Sequence, residues 1–346
     1  MAIRRSGTSR PPRVASRGRS APRWLAAMAL TLALTPSLRA QGIPARLTDR
    51  AFWQMITDFS EPGGFFRSDN FLSNQSSFQY ALPELTKSRA AGGVYLGVGP
   101  EQNFTYIVAL RPKIAFIFDI RRQNMIEHLL YKALFEMSPD RADFLARLFS
   151  RPRPPGLDTT STADVLFAAF GNVAPDSLTY RRNASAIRSW LVDRHGFALS
   201  SHDLQALAYV YDAFYSAGPD LNYSFTTGRP IQFGRGRMPS YAELMVETDS
   251  EGAQQSFLAS EGRYRVLRDL HVNNLLVPVV GDCAGPKAIQ AVSQYLKSNR
   301  ATVTAFYTSN VEQYLFPQND DWREFYGNVA PLPLDAQAVG EQQDHF

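Results

Sequence analysis

Residues 93–121 read GVYLGVGPEQNFTYIVALRPKIAFIFDIR, from Gly93 to Arg121. The order is strand, glycine turn, helix, strand, acid, and that order decides the fold. Val94–Leu96 is a short apolar run of strand type, followed at once by Gly97-Val98-Gly99. Pro100 stands where a helix accepts proline, at the first helical position, with Glu101 in the first turn. Phe104, Ile107 and Val108 repeat at helical spacing until Arg111-Pro112 stops the helix. Ile114–Phe118 is a continuous apolar run, as expected of a strand covered on both faces of a parallel sheet. It closes on Asp119, 22 residues after Gly97.

Glycines let a backbone approach a ligand closely, and a helix N-terminus offers unpaired N–H groups. An acid closing the next parallel strand can take the two hydroxyls of an adenosine ribose. Gly97, Gly99, Glu101 and Asp119 are therefore candidate cofactor-binding residues. A tight strand–helix turn followed by a helix-capping aspartate has the same letters, and the stretch alone leaves both readings open.

Around this unit the chain has 346 residues, 45% hydrophobic and 12% aromatic, enough for one large domain or two modest ones. The formal charge of +4 is concentrated at the start. Eight of the 36 basic side chains and none of the 32 acidic ones lie in residues 1–40, which leaves 28 against 32. A slightly acidic body argues against general nucleic-acid binding. Met1–Arg23 is arginine-rich, Trp24–Leu34 is apolar, and Leu38-Arg39-Ala40 resembles a signal-peptidase site before Gln41. The apolar run is short for a membrane span. Residues 1–40 are read as a cleavable export signal, giving a periplasmic or secreted protein with no stable membrane span after cleavage. An uncleaved leader would anchor the protein to a membrane, and an organelle transit peptide shares the Arg- and Ser-rich composition. The single cysteine, Cys283, excludes an internal disulfide, and five histidines without paired spacing give no metal site to argue.

Moving outward, Leu47–Phe59 has the spacing of a helix. Glu61–Tyr80 is a polar loop dense in aromatics, which predicts that it packs over the sheet or a ligand. Arg67, Asp69, Asn70 and Asn74 could face that ligand or serve local turns. Arg121–Met137 is a helix with the apolar stripe expected over a parallel sheet, and His128 on it is read as a surface or structural residue. Residues 138–272 hold little that reads as strand and form a helical insertion, with the stiff connector Arg151–Gly156 as an internal boundary. Helices are expected over Ala142–Phe149, Ala163–Phe170, Ser177–Arg194 and Ser201–Tyr215. Ser200 with Asp203 and Ser240 with Glu243 are capping pairs. Gly218–Ser240 carries Arg229, Arg235 and Arg237 and is either a loop that closes over an anionic ligand or a solvated surface loop.

The chain returns to the sheet at Leu275–Val280, ending in Gly281-Asp282-Cys283-Ala284-Gly285-Pro286. Helix Lys287–Ser298 and strand Thr302–Tyr307 follow. An acid again stands at the carboxyl end of a parallel strand, so Asp282 is a candidate catalytic residue or a turn former. Arg67, Asn70, Arg235, Arg237 and Tyr307 are the candidate substrate-binding residues. Ser309 with Glu312 is a third expected capping pair, Cys283 is a small buried residue, and Leu332–Phe346 is a polar, frayed tail.

At GVYLGVGPEQNFTYI, AFIFDIRRQN, VPVVGDCAGPKAI and ATVTAFYTSNVEQYLF the chain resembles a family of uncharacterised bacterial proteins. Their architecture is Rossmann-like and akin to class I S-adenosylmethionine-dependent methyltransferases. FFRSDNFLSNQSSFQYALPEL and GRGRMPSY fit the same family, so the resemblance runs from about residue 50 to 316. It implies an α/β fold with a doubly wound, mostly parallel sheet, a single domain over residues 41–346 and S-adenosylmethionine as cofactor. By position Gly97 and Gly99 match the methyltransferase glycine turn, Asp119 the ribose-holding acid, and Asp282 the end of the fourth strand. Two positions depart from the pattern. Tyr95 stands where an acid usually precedes the first glycine, and Glu101 replaces a third glycine. The function expected is methyl transfer to an unidentified acceptor. The alternative is an exported, non-catalytic protein that binds a small-molecule ligand in the same crevice.

Overall fold

Five strands form one sheet in this computed structural model, which describes residues 42–87, 92–223, 225–226, 229–230, 238–317 and 320–341. The leader, Arg235 and Arg237 lie outside the described residues. The strands are β1 (Val94–Val98), β2 (Ile114–Asp119), β3 (Leu276–Val280), β4 (Val303–Tyr307) and β5 (Leu334–Glu341). Their order across the sheet is β3-β2-β1-β4-β5, with every pairing parallel. The fold is thus mixed α/β and Rossmann-like. Register follows the apolar runs: Val94 pairs with Ile114 and Val98 with Phe118, while Ala115 pairs with Leu276 and Asp119 with Val280. All residues of β2 and β3 are buried, as a strand covered on both faces requires.

Six helices position the site. They are α1 (Asp49–Phe59), α2 (Gln102–Leu110), α3 (Arg122–Met137), α4 (Ser201–Ala217), α5 (Glu261–Val272) and α6 (Ala288–Ser298). Phe116 of β2 packs against Phe59 of α1 and Tyr295 of α6. Phe104 of α2 sits among His128, Tyr131 and Phe135 of α3, His271 of α5 and Phe257, all edge-on at 5.1–6.1 Å. Edge-to-face contact places ring hydrogens on ring faces, the favoured geometry for aromatic clusters. Between β2 and β3 the chain is mostly helical, including Arg141–Leu148, Ala163–Gly171, Ser177–Ser189 and Tyr241–Val246. Residues 225–226 and 229–230 form a two-residue antiparallel pair within it. Among the described residues no helix is long and apolar enough to cross a membrane.

Two expectations are corrected, and a third is narrowed. The tail after Leu332 is not frayed over its whole length, because Leu334–Glu341 pairs with β4 as an edge strand. Such a strand gains main-chain hydrogen bonds whatever its side chains, so polarity did not forbid it. Ser200/Asp203 and Ser240/Glu243 do form capping boxes, but Ser309/Glu312 does not. Ser309 lies in the left-handed region at φ 54°, and the five-residue helix starts at Val311, so the pair is out of phase with the helix end. Of the two readings of His128, surface or structural, the second holds: it is buried against Phe104 of α2 and bonds to Gly99 O at 3.1 Å.

Phe104→Ala should cost about 3–5 kcal/mol, the usual range for deleting a buried aromatic. Urea unfolding monitored by circular dichroism measures it, and a loss below about 1 kcal/mol would show that the cluster is not a core.

Candidate functional site

β1 lies in the middle of the sheet, and the chain leaves it toward β2 and β3 before returning on its other side as β4. The loops after β1 and β4 therefore diverge and open a crevice at the carboxyl ends of the strands, where open α/β sheets bind ligands. A cavity of about 410 Å³ lies there, within the roughly 300–1,000 Å³ typical of small-molecule sites. Its floor comes from Val98, Gly99 and Pro100 after β1, Asp119 and Arg121 after β2, Asp282 and Cys283 after β3, and Tyr307, Ser309 and Asn310 after β4. Its roof is the 61–80 loop, with Phe66, Arg67, Asn70 and Asn74, joined by Tyr223.

The roof is tied down by main-chain bonds. Glu61 N donates to Val280 O at 2.8 Å, Gly64 N to Ile120 O at 2.7 Å, and Phe71 N to Tyr223 O at 3.1 Å. Phe71 and Phe78 are buried, Phe66 meets Tyr314 edge-on at 5.2 Å, and Phe65 and Tyr80 are exposed. A polar network fixes the middle of the loop. Ser73 Oγ donates to Gln102 Oε1, and Gln102 Nε2 and Tyr307 Oη both donate to Gln75 Oε1 at 3.0 Å.

Of the sequence candidates, the structure brings Gly99, Asp119, Asp282, Arg67, Asn70 and Tyr307 onto this one cavity. Gly97 and Glu101 are not among its lining residues. A Cβ on Gly97 would lie 1.9 Å from Asn103 Oδ1, so that glycine makes room for a neighbour rather than for a ligand. Tyr95 Oη donates to Asn103 Oδ1 at 2.8 Å, and Asn103 Nδ2 donates to Val98 O and Pro100 O at 3.0 and 2.8 Å. The side chain at the departed acid position thus braces the turn from within. Gly99 needs its residue type for another reason, φ +90° with open space around a built Cβ.

Glu101 is fully buried, and its two carboxylate oxygens accept from Ser73 N at 3.3 and 3.2 Å. Helix α2 starts two residues later than proline phasing predicts, which makes Glu101 the N-cap residue and turns it away from the cavity and under the roof loop. Burial raises its pKa to about 8, with the Ser73 bond pulling the other way. Burial lowers His128 to about 4, so this imidazole is neutral and bonds to Gly99 O.

Sequence reading missed Arg121, Glu61, Tyr223, Asn310 and Tyr314. Arg121 grips both oxygens of Asp119: its main-chain N and Nε reach Oδ1 at 2.8 and 3.0 Å, and Nη2 reaches Oδ2 at 2.7 Å. Its Nη1 donates to Asp69 O. The signal was present, since an arginine two residues past a strand-end acid returns to the same side, but helix phasing drew it into the next element. Glu61 left no local signal. Its carboxylate accepts from Asp282 N at 3.2 Å and from Lys287 N and Ala288 N at 3.0 Å, capping α6 and fixing the loop that carries Asp282. Asp282 Oδ1 accepts from Ala284 N at 2.9 Å, which leaves Oδ2 for the cavity. Burial pushes the Cys283 thiol far up, so it stays protonated. Among the described residues no group of three or more His, Cys, Asp or Glu could hold a metal ion.

Residues 71–154 and 201–339 match a family described as a domain of unknown function, DUF7790. The matched stretches carry Gly99, Asp119, Arg121, Asp282 and Tyr307, and omit the helices between residues 155 and 200. No curated protein matches the chain.

Glu101 makes a pH prediction. The folded protein keeps its proton up to about 8 while the unfolded chain releases it near 4.5. Its contribution is complete below pH 4.5 and is lost as pH rises through 8. Glu101→Gln should therefore flatten the fall in stability between pH 5 and 8 and be the more stable protein at pH 8.5, by up to a few kcal/mol. Denaturant midpoints across that range test it, and parallel profiles would show Glu101 ionised in the fold.

Proposed function

We propose that this chain, which belongs to the DUF7790 family, binds an adenosyl ligand in the cavity at the strand ends and transfers a methyl group from S-adenosylmethionine to a small acceptor. The observation that carries the reading is the convergence of Gly99, Asp119 and Asp282, from three successive strand ends, on one cavity of about 410 Å³. The residues present fit such a group. Gly99 lets backbone come close, and Phe66, Tyr223 and Tyr314 offer aromatic faces to a purine or a sulfonium. Asp119, held by Arg121 in this structure, accepts hydroxyls.

S-adenosylmethionine, when bound, supplies a methyl group on an electrophilic sulfonium. The protein's own task is positioning, which can account for much of such a rate. Asp282, held by the Glu61 clasp, offers its second oxygen to orient an acceptor hydroxyl or amine or to receive its proton. The roof loop, bonded to β3 and to the residue after β2, lies over the crevice.

A second reading has its own observation. The Asp119 carboxylate already takes three hydrogen bonds from Arg121, and a largely committed acid suits a binding protein without catalysis. The leader, read as an export signal, points the same way, because S-adenosylmethionine is an intracellular metabolite.

Thermal melting of the purified chain separates these readings. At one hundred times the dissociation constant a ligand adds about 2.7 kcal/mol, which is several degrees. S-adenosylmethionine and S-adenosylhomocysteine should shift the melting point and NAD should not; no shift with either adenosyl compound rejects the proposal. Asp282→Asn should slow formation of S-adenosylhomocysteine at least tenfold in an assay against pooled small acceptors, while leaving its affinity within about twofold. Equal loss of both would make Asp282 a structural residue.

A further inference from the structure

Glu127 of α3 is fully buried, and neither of its carboxylate oxygens has a hydrogen-bond partner. A buried polar group left unpaired is costly, so an arrangement in which Glu127 is paired would be favoured locally. Three residues earlier on the same helical face, Asn124 is 1% exposed and its Nδ2 donor is also without a partner. Donor and acceptor stand on one face of α3, within two turns of the arginine at its N-cap. Arg121 attracts Glu127, and Glu127 acts on Arg121 in return. Here the guanidinium is spent on Asp119 and on Asp69 O.

We propose that Arg121 serves two carboxylates in turn: Asp119, as seen here, and Glu127 when a hydroxyl-bearing ligand takes Asp119. The proton on Glu127 then leaves to solvent as Arg121 and Asn124 Nδ2 take its oxygens, so each ligand bound releases one proton. Glu127 is a positioning residue. It gives the displaced guanidinium a buried counter-charge, without which freeing Asp119 would strand a cation in the core. Burial keeps Glu127 protonated well above the usual carboxylate range, with Arg121 pulling it down. The other titratable groups that act on it are Glu101 at the N-cap of α2, Asp119 at the end of β2 and Asp69 in the roof loop. Its own charge reaches the Tyr131 hydroxyl on α3 and the Tyr241 hydroxyl on the helix Tyr241–Val246. The identity of the displacing ligand rests on the adenosyl reading above; the exchange itself does not.

A ligand-free test uses Asp119→Asn to remove the first carboxylate, which is what a ligand does by occupying it. Arg121 should pass to Glu127, so D119N should retain one proton fewer than wild type between pH 5 and 7, read from the slope of stability against pH. An unchanged slope overturns the proposal. E127Q alone should be neutral or stabilising. In D119N/E127Q no carboxylate remains, and the unfolding constant should exceed the product of the two single effects at least fivefold; a smaller excess overturns the exchange. If the double variant does not fold, the D119N slope decides. Calorimetry with S-adenosylhomocysteine in phosphate and in Tris at pH 7 completes the test. Wild type should release one proton per ligand and E127Q none, and binding by wild type without proton release overturns the coupling. No binding heat at all would sink the adenosyl reading, with the ligand-free cycle still judging the arginine.

Discussion

The parallel pairing of β1 with β2 on one side and β4 on the other is the constraint on which the site depends. Parallel strands cannot be joined by a hairpin, so each connection must cross a face of the sheet as a long excursion. Those crossings bring α2 and α3 onto the sheet, and they return the chain so that every strand ends at the same edge. Val98↔Phe118 and Asp119↔Val280 align the last residues of β1, β2 and β3. Gly99, Asp119 and Asp282 meet for that reason, although the last two are 163 positions apart in the chain.

Much of the chemistry around the cavity is internal. Asn103, Glu101 and His128 each satisfy or brace the backbone of the first turn or the roof, and Glu61 does the same for the turn after β3. Buried polar groups of this kind fix a single geometry, because each lost bond costs more than a made one gains. The result is a rigid rim, with Asp282 Oδ2 and the Asp119–Arg121 pair as its chemically adaptable parts. Arg121 is the connection between rim and core. It faces the cavity with Asp119 and lies within the electrostatic reach of Glu127 beneath.

The legible parts of the sequence were those whose signal is local. Ile114–Phe118 and Leu275–Val280 announced buried strands by being apolar throughout, and the structure assigns Ile114–Asp119 and Leu276–Val280. Ser200 with Asp203 announced a helix start through the three-residue spacing of a capping box, a spacing that Ser309 and Glu312 share without forming one. Leu334–Glu341 was not legible, because an edge strand is defined by its neighbour's backbone rather than its own pattern. Glu101 misled for a related reason. It was expected in the first turn and stands instead at the N-cap, because the side on which it emerges depends on where α2 begins, and Ser73, 28 positions upstream, holds it there.

The sequence by itself determined the alternation of strand and helix, the buried strands, the two capping boxes and the acids at the strand ends, since each is written in periodicity or spacing within a few residues. Only the tertiary structure decided what those acids touch. Asp119 meets Arg121, Asp282 is held by Glu61 from 221 positions away, and Glu101 is folded under a loop. The physical reason is that a carboxylate's role is set by the donors and the dielectric around it, and both are supplied by chain segments that sequence spacing does not relate.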